Sequence, residues 1–337
     1  MPRWPFPVRL RMPLPQITYV IVPSYPLTDY LFERMHKLQD VKVIEHPLPR
    51  RRRLGSLLRA VDVYALPWLK HSFYFDKSYT DQLEHIRAED SVLFFAIENR
   101  KDLQIVRKFI AARRQFVWLW NPIEVFRGRG LSQRFYRYWI ARSGMLAYTF
   151  NPADARGGIA LIDQVYRRPD DSADRGNADR EIRHDVYFLG IDKGRLTALK
   201  SLRGEFERAG LTTHFRIVAD KRSTYSDDDR KHLTSEWLPY KDNLMVVRES
   251  RALLELLQST QNGPTIRSME AAYFNKKLIT NNQAMRTSPL YHPSRIFIIG
   301  QDDMETLKQF MVLKLEPVDQ SVLRAHDIEH WIRRFTV

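Results

Sequence analysis

The chain of 337 residues contains no cysteine. Disulfide frameworks, thiolate metal sites and cysteine nucleophiles are therefore excluded, and a reducing compartment is the natural setting. Long apolar segments are also missing, because no run reaches the roughly eighteen apolar residues that a membrane-spanning helix needs. Residues 1–14 carry arginines among prolines without an apolar stretch, so we expect a mobile leader rather than a signal peptide.

Acidic residues are scarce in the first half of the chain. Residues 1–168 contain 28 Lys and Arg against 15 Asp and Glu, whereas the remainder contains 26 against 25. The basic residues are densest at Arg50-Arg51-Arg52-Arg53. Such a field attracts anionic lipid, acidic glycan or nucleic acid. We expect Arg50 to Arg53, with Trp68 and Leu69, to contact an anionic membrane surface; a basic surface without a specific partner is the alternative.

Short apolar runs alternate with helical periodicity along the whole chain. Strands are predicted at residues 17–22, 41–44, 91–96, 115–120, 185–189, 213–218, 243–247, 277–280 and 296–299. Helices are predicted at residues 27–38, 101–113, 196–209 and 321–335. Strands that alternate with helices indicate an α/β protein with parallel sheets built from βαβ units.

A polar, glycine-bearing segment interrupts this alternation. It predicts an exposed linker over residues 169–184. The linker separates a first domain, residues 15–168, from a second, residues 185–318. Residues 319–337 form a C-terminal helical segment. A length of 337 residues suits two domains, since one hydrophobic core seldom serves so long a chain.

The segment from Gly263 to Ala272 has the composition of a loop that turns into a helix. A helix N-terminus exposes unpaired N–H groups and partial positive charge, so it attracts anions. Gly263 would let a ligand approach the backbone closely. Arg267 supplies donors that suit phosphate, and Glu270, one turn later, can accept hydrogen bonds from a ribose. The alternative is an ordinary helix start with a solvated Arg and Glu.

A second candidate anion site follows the predicted strand at residues 185–189. Gly190 and Gly194 keep the turn narrow, and Lys193 and Arg195 can neutralise a diphosphate where a strand ends and a helix begins. The turn has neither the GxGxxG nor the P-loop pattern. A structural turn with solvated cations is the alternative.

Several blocks resemble one family. They are Trp120-Asn121-Pro122-Ile123, residues 148–155, residues 186–195, and a last block of residues 258–265 with Arg267, Glu270 and residues 276–282. The chain resembles bacterial GT-B type nucleotide-sugar glycosyltransferases of lipopolysaccharide, O-antigen and capsular polysaccharide biosynthesis. The resemblance covers roughly residues 115–310.

The resemblance implies two Rossmann-like domains that face each other across a cleft, with C-terminal helices crossing back to the N-terminal domain. The second domain would hold the nucleotide-sugar donor and the first a saccharide or lipid-linked acceptor. Gly190 and Arg195 would lie near the diphosphate, with Gly263, Thr265 and Arg267 on its other side. Glu270 would hold the ribose, and residues 238–242, Tyr240 among them, would lie near the base.

Cations and a helix N-terminus can stabilise the departing phosphate, so we expect a reaction without a metal or another cofactor. Asp227-Asp228-Asp229 lies in a polar stretch and is interpreted as solvated. An inverting enzyme needs a base near the acceptor hydroxyl. Glu98 follows a predicted strand and is a candidate; His71, Asp76 and Glu124 are others. Trp118 and Trp120 are interpreted as core residues.

Two other classes of protein stay open. One is a basic protein that binds nucleic acid or another anionic ligand without catalysis. No nucleic-acid partner is expected, because the arginines are not interleaved with a recognition motif. The other is a two-domain scaffold without a donor site, which the joint presence of Arg195, Arg267 and Glu270 argues against. We expect the enzyme in the cytoplasm, peripheral at the inner face of the cytoplasmic membrane.

Overall fold

The computed structural model describes residues 16–47, 63, 75–124, 130–169, 181–257 and 262–336. The predicted leader, most of the predicted linker, the run Arg50 to Arg53, Trp68, Leu69 and His71 lie outside these residues. The described chain forms two α/β lobes, each built around a six-stranded parallel sheet. The predicted fold class, two Rossmann-like domains that face each other, is confirmed.

The sheet of the first lobe has the strand order β2-β1-β3-β4-β5-β6. Its strands are β1 Thr18–Pro23, β2 Val41–His46, β3 Ser91–Phe95, β4 Arg114–Leu119, β5 Leu146–Thr149 and β6 Ile159–Leu161. Every residue of β1 and β3 is buried, as expected for central strands that helices cover on both faces. The helices of this lobe are α1 Pro26–Phe32, α2 Lys77–Glu84, α3 Arg100–Arg107 and α4 Leu131–Arg142.

The sheet of the second lobe has the strand order β12-β11-β10-β7-β8-β9. Its strands are β7 His184–Ile191, β8 Thr213–Val218, β9 Leu233–Thr234, β10 Ser250–Glu255, β11 Lys277–Thr280 and β12 Ile296–Ile298. The helices are α5 Leu196–Arg208, α6 Asp227–Arg230, α7 Tyr240–Arg248, α8 Ile266–Tyr273 and α9 Leu307–Val312. Because all strands are parallel, their carboxyl ends meet at one edge of each sheet.

One predicted element is wrong. Residues 243–247 belong to helix α7, and the strand expected there is β10, Ser250–Glu255. A short apolar run does not distinguish a strand from a buried helix. The helix forms because Asn243, Leu244 and Val247 share its buried face. All four predicted helices are shorter than expected. Helix α1 ends at Phe32, α3 at Arg107 and α5 at Arg208, and the helix expected over residues 321–335 is divided at Asp327.

The C-terminal segment returns to the first lobe, as expected. Helices α10 Gln320–His326 and α11 Ile328–Trp331 lead into a 3₁₀ turn, Ile332–Arg334. The Trp331 ring lies 6.0 Å from that of Phe95 and 5.4 Å from that of Trp118, between ring centroids. The Ile328 N–H donates to the carbonyl of Tyr166 at 2.8 Å. The last residues of the chain are thus part of the first lobe's aromatic core.

One hydrophobic cluster joins the two lobes. It contains Trp118 and Tyr166 from the first lobe, and Tyr187, Leu253 and Met269 from the second. Polar contacts reinforce it, since the Tyr166 hydroxyl lies 2.7 Å from that of Tyr240. The lobes therefore share buried apolar surface. No helix in the described ranges is long and apolar enough to cross a bilayer.

Candidate functional site

A cavity of about 330 Å³ lies between the lobes, at the edge where the strands end. The first lobe contributes Trp120, Asn121, Phe150 and Gln164. The second lobe contributes the carboxyl ends of β7 and β10, the first turn of α8 and Trp237. A volume of this size is within the range of small-molecule sites. The predicted donor residues Gly190, Lys193, Arg195, Thr265 and Arg267 all line it.

The first turn of α8 is fixed by a capping box. Thr265 is the N-cap residue, and its Oγ1 accepts a hydrogen bond from the Arg267 N–H at 3.0 Å. In return, Ser268 Oγ accepts one from the Thr265 N–H at 3.2 Å. Reciprocal bonds of this kind satisfy amides that a helix start leaves unpaired. The helix start expected after Gly263 is confirmed, and the turn that faces the cavity is rigidly held.

A buried carboxylate anchors this turn to the sheet. Glu255, at the end of β10, is only 3% exposed. Its oxygens accept hydrogen bonds from the hydroxyls of Thr265, Ser268 and Thr280, the latter two at 2.6 Å. Glu255 was not among the site residues predicted from the sequence. The available signal was a carboxylate inside the apolar run from Ala252 to Leu257, where an isolated charge needs partners.

Arg267 and Glu270 form a buried ion pair one turn apart on α8. The Arg267 guanidinium donates from Nη1 to Glu270 Oε2 at 2.5 Å and from Nη2 to the Leu189 carbonyl at 3.3 Å. Glu270 Oε1 accepts from the Tyr240 hydroxyl at 2.8 Å and from Asn243 Nδ2 at 3.0 Å. Both carboxylate oxygens are thus occupied. Because Glu270 is also only 1% exposed, a ribose could reach it only after a neighbouring group moved.

Tyr240 links this pair to the first lobe. Its hydroxyl contacts both Glu270 and Tyr166, and burial raises its pKa well above the usual range. Tyr240 therefore stays protonated at neutral pH and acts as a hydrogen-bond donor. It does not line the cavity, whereas its neighbour Trp237 does, with 61% of its surface exposed.

The turn after β7 presents two cations to the cavity. Lys193 has φ +47° and Gly194 φ +79°, a left-handed turn that glycine adopts without strain. Burial, and repulsion from Arg195, lower the pKa of Lys193. The Arg195 guanidinium donates to the carbonyls of Asp192, Ile191 and Leu256, so it ties the end of β7 to the segment after β10. These bonds to described residues use three of the five N–H groups of the guanidinium.

Gly263 lies against the first lobe. A Cβ atom at this position would come within 2.4 Å of the Phe150 carbonyl oxygen. The space that we expected a ligand to use is therefore taken by Phe150. Two bonds hold the adjoining loops together, from the Asn262 N–H to Asn151 Oδ1 at 3.3 Å and from Gln164 Nε2 to the Pro264 carbonyl at 3.2 Å. Gly263 permits close contact between the lobes.

Replacement of Gly263 by Ala is expected to lower the free energy of unfolding by about 1–3 kcal/mol, because the backbone must shift to relieve the clash with Phe150. Urea-induced unfolding would measure it. The matched control is Gly204→Ala within α5, where an added Cβ meets no atom within 4 Å. In this control the free energy of unfolding should rise by up to about 1 kcal/mol, because alanine has a higher helix propensity than glycine. A similar gain at Gly263 would contradict the close contact.

Glu98 lies directly behind the cavity wall. Its carboxylate accepts hydrogen bonds from the Asn121 backbone N–H at 2.6 Å and from Asn121 Nδ2 at 2.9 Å. Burial raises the pKa of Glu98 to about 7, against the lowering effect of these bonds. A carboxylate with such a pKa can accept a proton near neutral pH. Asn121 lines the cavity and connects Glu98 to it.

The other candidates for a base have different positions. Asp76 is an exposed residue at the start of α2 and does not line the cavity. His71 lies outside the described residues. Asp227 to Asp229 form helix α6 at the surface, where Lys200 pairs with Asp228 and Asp229. Within the described ranges, no three His, Asp or Glu side chains are grouped so that they could hold a metal ion.

The two tryptophans of β4 and its loop differ. Trp118 is fully buried, as expected, and stacks on Phe95 at 4.7 Å between centroids. Trp120 is partly buried: its ring packs on the core at 5.4 Å from that of Phe95, between centroids, and it also lines the cavity. Side chains alternate along a strand, but Trp120 follows the last strand residue, Leu119, where the chain turns to the cavity.

Comparisons with known proteins support the fold. No protein-family model matches the sequence, and the search of curated proteins found no relative. Among solved structures, a UDP-forming α,α-trehalose-phosphate synthase from Burkholderia xenovorans shares 10% identity at a TM-score of 0.56, covering 95% of this chain and 98% of that chain.

Two further similar structures have lower TM-scores. The Anabaena protein HepE, in complex with UDP and glucose, shares 11% identity over 95% of both chains at a TM-score of 0.48. Sucrose-phosphate synthase from Thermosynechococcus elongatus shares 10% over 88% of this chain and 89% of that chain at 0.47. The likeness to the trehalose-phosphate synthase establishes the fold class: two Rossmann-like domains of the GT-B type.

Proposed function

We propose that the protein is a glycosyltransferase that moves a sugar from a nucleoside-diphosphate donor to a saccharide or lipid-linked acceptor. The main observation is that the cavity between the lobes joins the end of β7, with Lys193 and Arg195, to the first turn of α8, with Arg267. Three cations and a helix N-terminus in one cleft suit a diphosphate. The structurally similar trehalose-phosphate synthase is described as UDP-forming, which makes UDP-sugars the first donors to test.

In the proposed reaction, the acceptor hydroxyl oxygen attacks the anomeric carbon, and the bond from that carbon to the phosphate oxygen breaks. The nucleoside diphosphate leaves with an additional negative charge. Lys193, Arg195, Arg267 and the N-terminus of α8 would stabilise this charge, so we propose a metal-independent reaction. Glu98 would take the proton of the hydroxyl, with Asn121 holding its carboxylate. Hexosyl or deoxyhexosyl transfer fits this scheme.

We propose that the acceptor belongs to bacterial surface polysaccharide assembly, that is, lipopolysaccharide, O-antigen or capsule. The basic first half of the chain supports an enzyme at an anionic membrane, in the cytoplasm and at the inner face of the cytoplasmic membrane. We also propose the domain boundaries given above. The start of β7 at His184 and the return of the C-terminal segment to the first lobe agree with them.

Donor binding is tested with a thermal-shift panel of UDP-, GDP-, dTDP- and CMP-sugars. We expect one class to raise the melting temperature. Lys193→Ala should weaken that donor about tenfold, the value of one charge-assisted hydrogen bond. Lys200→Ala is the matched control, because Lys200 pairs with Asp228 and Asp229 at the surface and does not line the cavity. If no donor binds and the protein shifts nucleic acid in a salt-dependent gel assay, the proposal fails.

A further inference from the structure

The outer face of helix α4 carries an aromatic and cationic stripe. Leu131, Arg134, Phe135, Tyr138 and Arg142 are all exposed. Their spacing of three or four residues brings them onto one side of the helix. The opposite side packs on the first lobe through Tyr136 and Ile140, which are 1% and 0% exposed. An amphipathic helix normally turns polar residues outward, and α4 turns a leucine and two aromatic rings outward instead.

The exposure of these side chains is large. Leu131 is 81% exposed, Phe135 55% and Tyr138 59%. Single exposed apolar residues are common, but a continuous group on one face indicates an interaction surface.

Positive charges accompany the rings. The Arg100 guanidinium of α3 lies over Phe135, 4.8 Å from the ring centroid, and that of Arg142 lies over Tyr138 at 5.4 Å. Residues 125–153 contain five arginines and no Asp or Glu. The nearest following carboxylate, Asp154, is paired with Arg137 at 2.5 Å. Between residues 125 and 153 the sequence therefore supplies positive charges only.

The helix lies beside the cleft. It follows β4, whose carboxyl end leads to the cavity residues Trp120 and Asn121, and it precedes β5. In a βαβ unit the helix begins at the carboxyl edge of the sheet and runs back to the opposite edge. The Leu131 end of the stripe is therefore at the edge that faces the cavity.

We infer that this stripe, formed by Leu131, Arg134, Phe135, Tyr138 and Arg142, docks the first lobe on an anionic lipid surface. Arginines attract the head groups, while leucine and aromatic side chains enter the boundary with the acyl chains. Nucleic acid fits less well, because a phosphate backbone offers no partner for an exposed leucine. The inference rests on the membrane part of the proposed function and deepens it by adding this stripe as a contact.

The test is co-sedimentation of the full chain with vesicles of phosphatidylcholine alone or mixed with phosphatidylglycerol. We expect binding only to the mixed vesicles, weakening as salt is added. Arg134→Gln with Arg142→Gln should reduce the partition coefficient about 30-fold, since each charge near such a surface contributes about fivefold. Phe135→Ser should reduce it about tenfold by removing apolar area from the lipid.

Two controls define the outcome. Val312→Ser removes a comparably exposed apolar side chain from α9 in the other lobe and should leave binding unchanged. A variant in which all four residues from Arg50 to Arg53 are replaced by Gln tests whether this run also contacts the membrane. The inference is overturned if the wild-type protein does not bind anionic vesicles, or if the α4 variants bind them as strongly as the wild type does. It is equally overturned if Phe135→Ser abolishes binding to single-stranded DNA while vesicle binding persists.

The donor assay makes this result independent of the enzyme assignment. The melting-temperature shift with nucleotide sugar is measured in solution, and α4 does not line the cavity. The α4 variants should keep the wild-type donor shift, which also verifies that they are folded. If a variant loses vesicle binding but keeps the melting-temperature shift with nucleotide sugar, the loss is due to the stripe and not to the donor site.

Discussion

Replacement of Arg267 by Ala is expected to lower the free energy of unfolding by about 3 kcal/mol. The reason is the carboxylate of Glu270, which is 1% exposed and would lose its only cationic partner among the residues that bond to it. Breaking a buried ion pair from one side costs about 3–5 kcal/mol. We expect the lower end, because Tyr240 and Asn243 still donate to Glu270. Urea-induced unfolding at neutral pH measures the change.

The double variant Arg267→Ala with Glu270→Gln separates structure from ligand binding. A neutral amide at position 270 can still accept from Tyr240 and Asn243, so stability should return close to that of Glu270→Gln alone. Donor affinity should stay low in the double variant if Arg267 contacts the diphosphate. Recovery of both properties would mean that Arg267 serves only to neutralise Glu270, and it would remove this residue from the donor site.

Glu98 is expected to give the enzyme a pH-dependent rate and a pH-dependent stability. With a pKa of about 7, the carboxylate form that can accept a proton dominates only above that pH. We expect kcat/KM to rise with pH and level off above about 7, and Glu98→Gln to lose the rise together with about 100-fold or more of the rate. The pH–rate profile measured with the donor found in the panel checks this.

Whereas the rate is expected to rise with pH, the stability of the folded protein is expected to fall. Glu98 binds its proton more tightly in the folded protein than in the unfolded chain, where its pKa is near 4.5. Raising the pH from about 4.5 to 7 should therefore lower the free energy of unfolding, by about 3 kcal/mol in total. Glu98→Gln should remove this decline. If the decline in stability persists in Glu98→Gln, Glu98 is not its cause. If the rate is unchanged in this variant, Glu98 is not the base.

Much of the fold could be predicted because its signals are local. The apolar runs of β1 and β3 reflect burial on both faces, and the Gly-Pro-Thr sequence before α8 supplies a cap. The spacing of Arg267 and Glu270 also predicted a shared helix face. The wrong prediction of a strand at residues 243–247, which belong to α7, also had a local cause. These five apolar or amide residues suit the two-residue repeat of a strand as well as the 3.6-residue repeat of a helix.

The site itself depended on contacts that spacing does not encode. Tyr240 and Asn243 reach Glu270 from another helix, and Phe150 reaches Gly263 from another lobe. Arg195 was expected at a diphosphate, yet three carbonyls of its own lobe occupy most of its donors. Glu98 was proposed from its position after a strand, but its bonds to Asn121 follow from the neighbouring strand β4. Such partners are set by tertiary packing.

Because Trp331 and Phe335 are built into the aromatic core around Phe95 and Trp118, two segments that are far apart in the sequence must meet before that core is complete. A nascent chain on the ribosome has made all six strands of its first sheet long before these two rings emerge. Domains usually fold in the order of their synthesis. Here we expect the first lobe to complete its core only after the C-terminal segment has been made, so a chain that stops near residue 320 should leave Phe95 and Trp118 exposed.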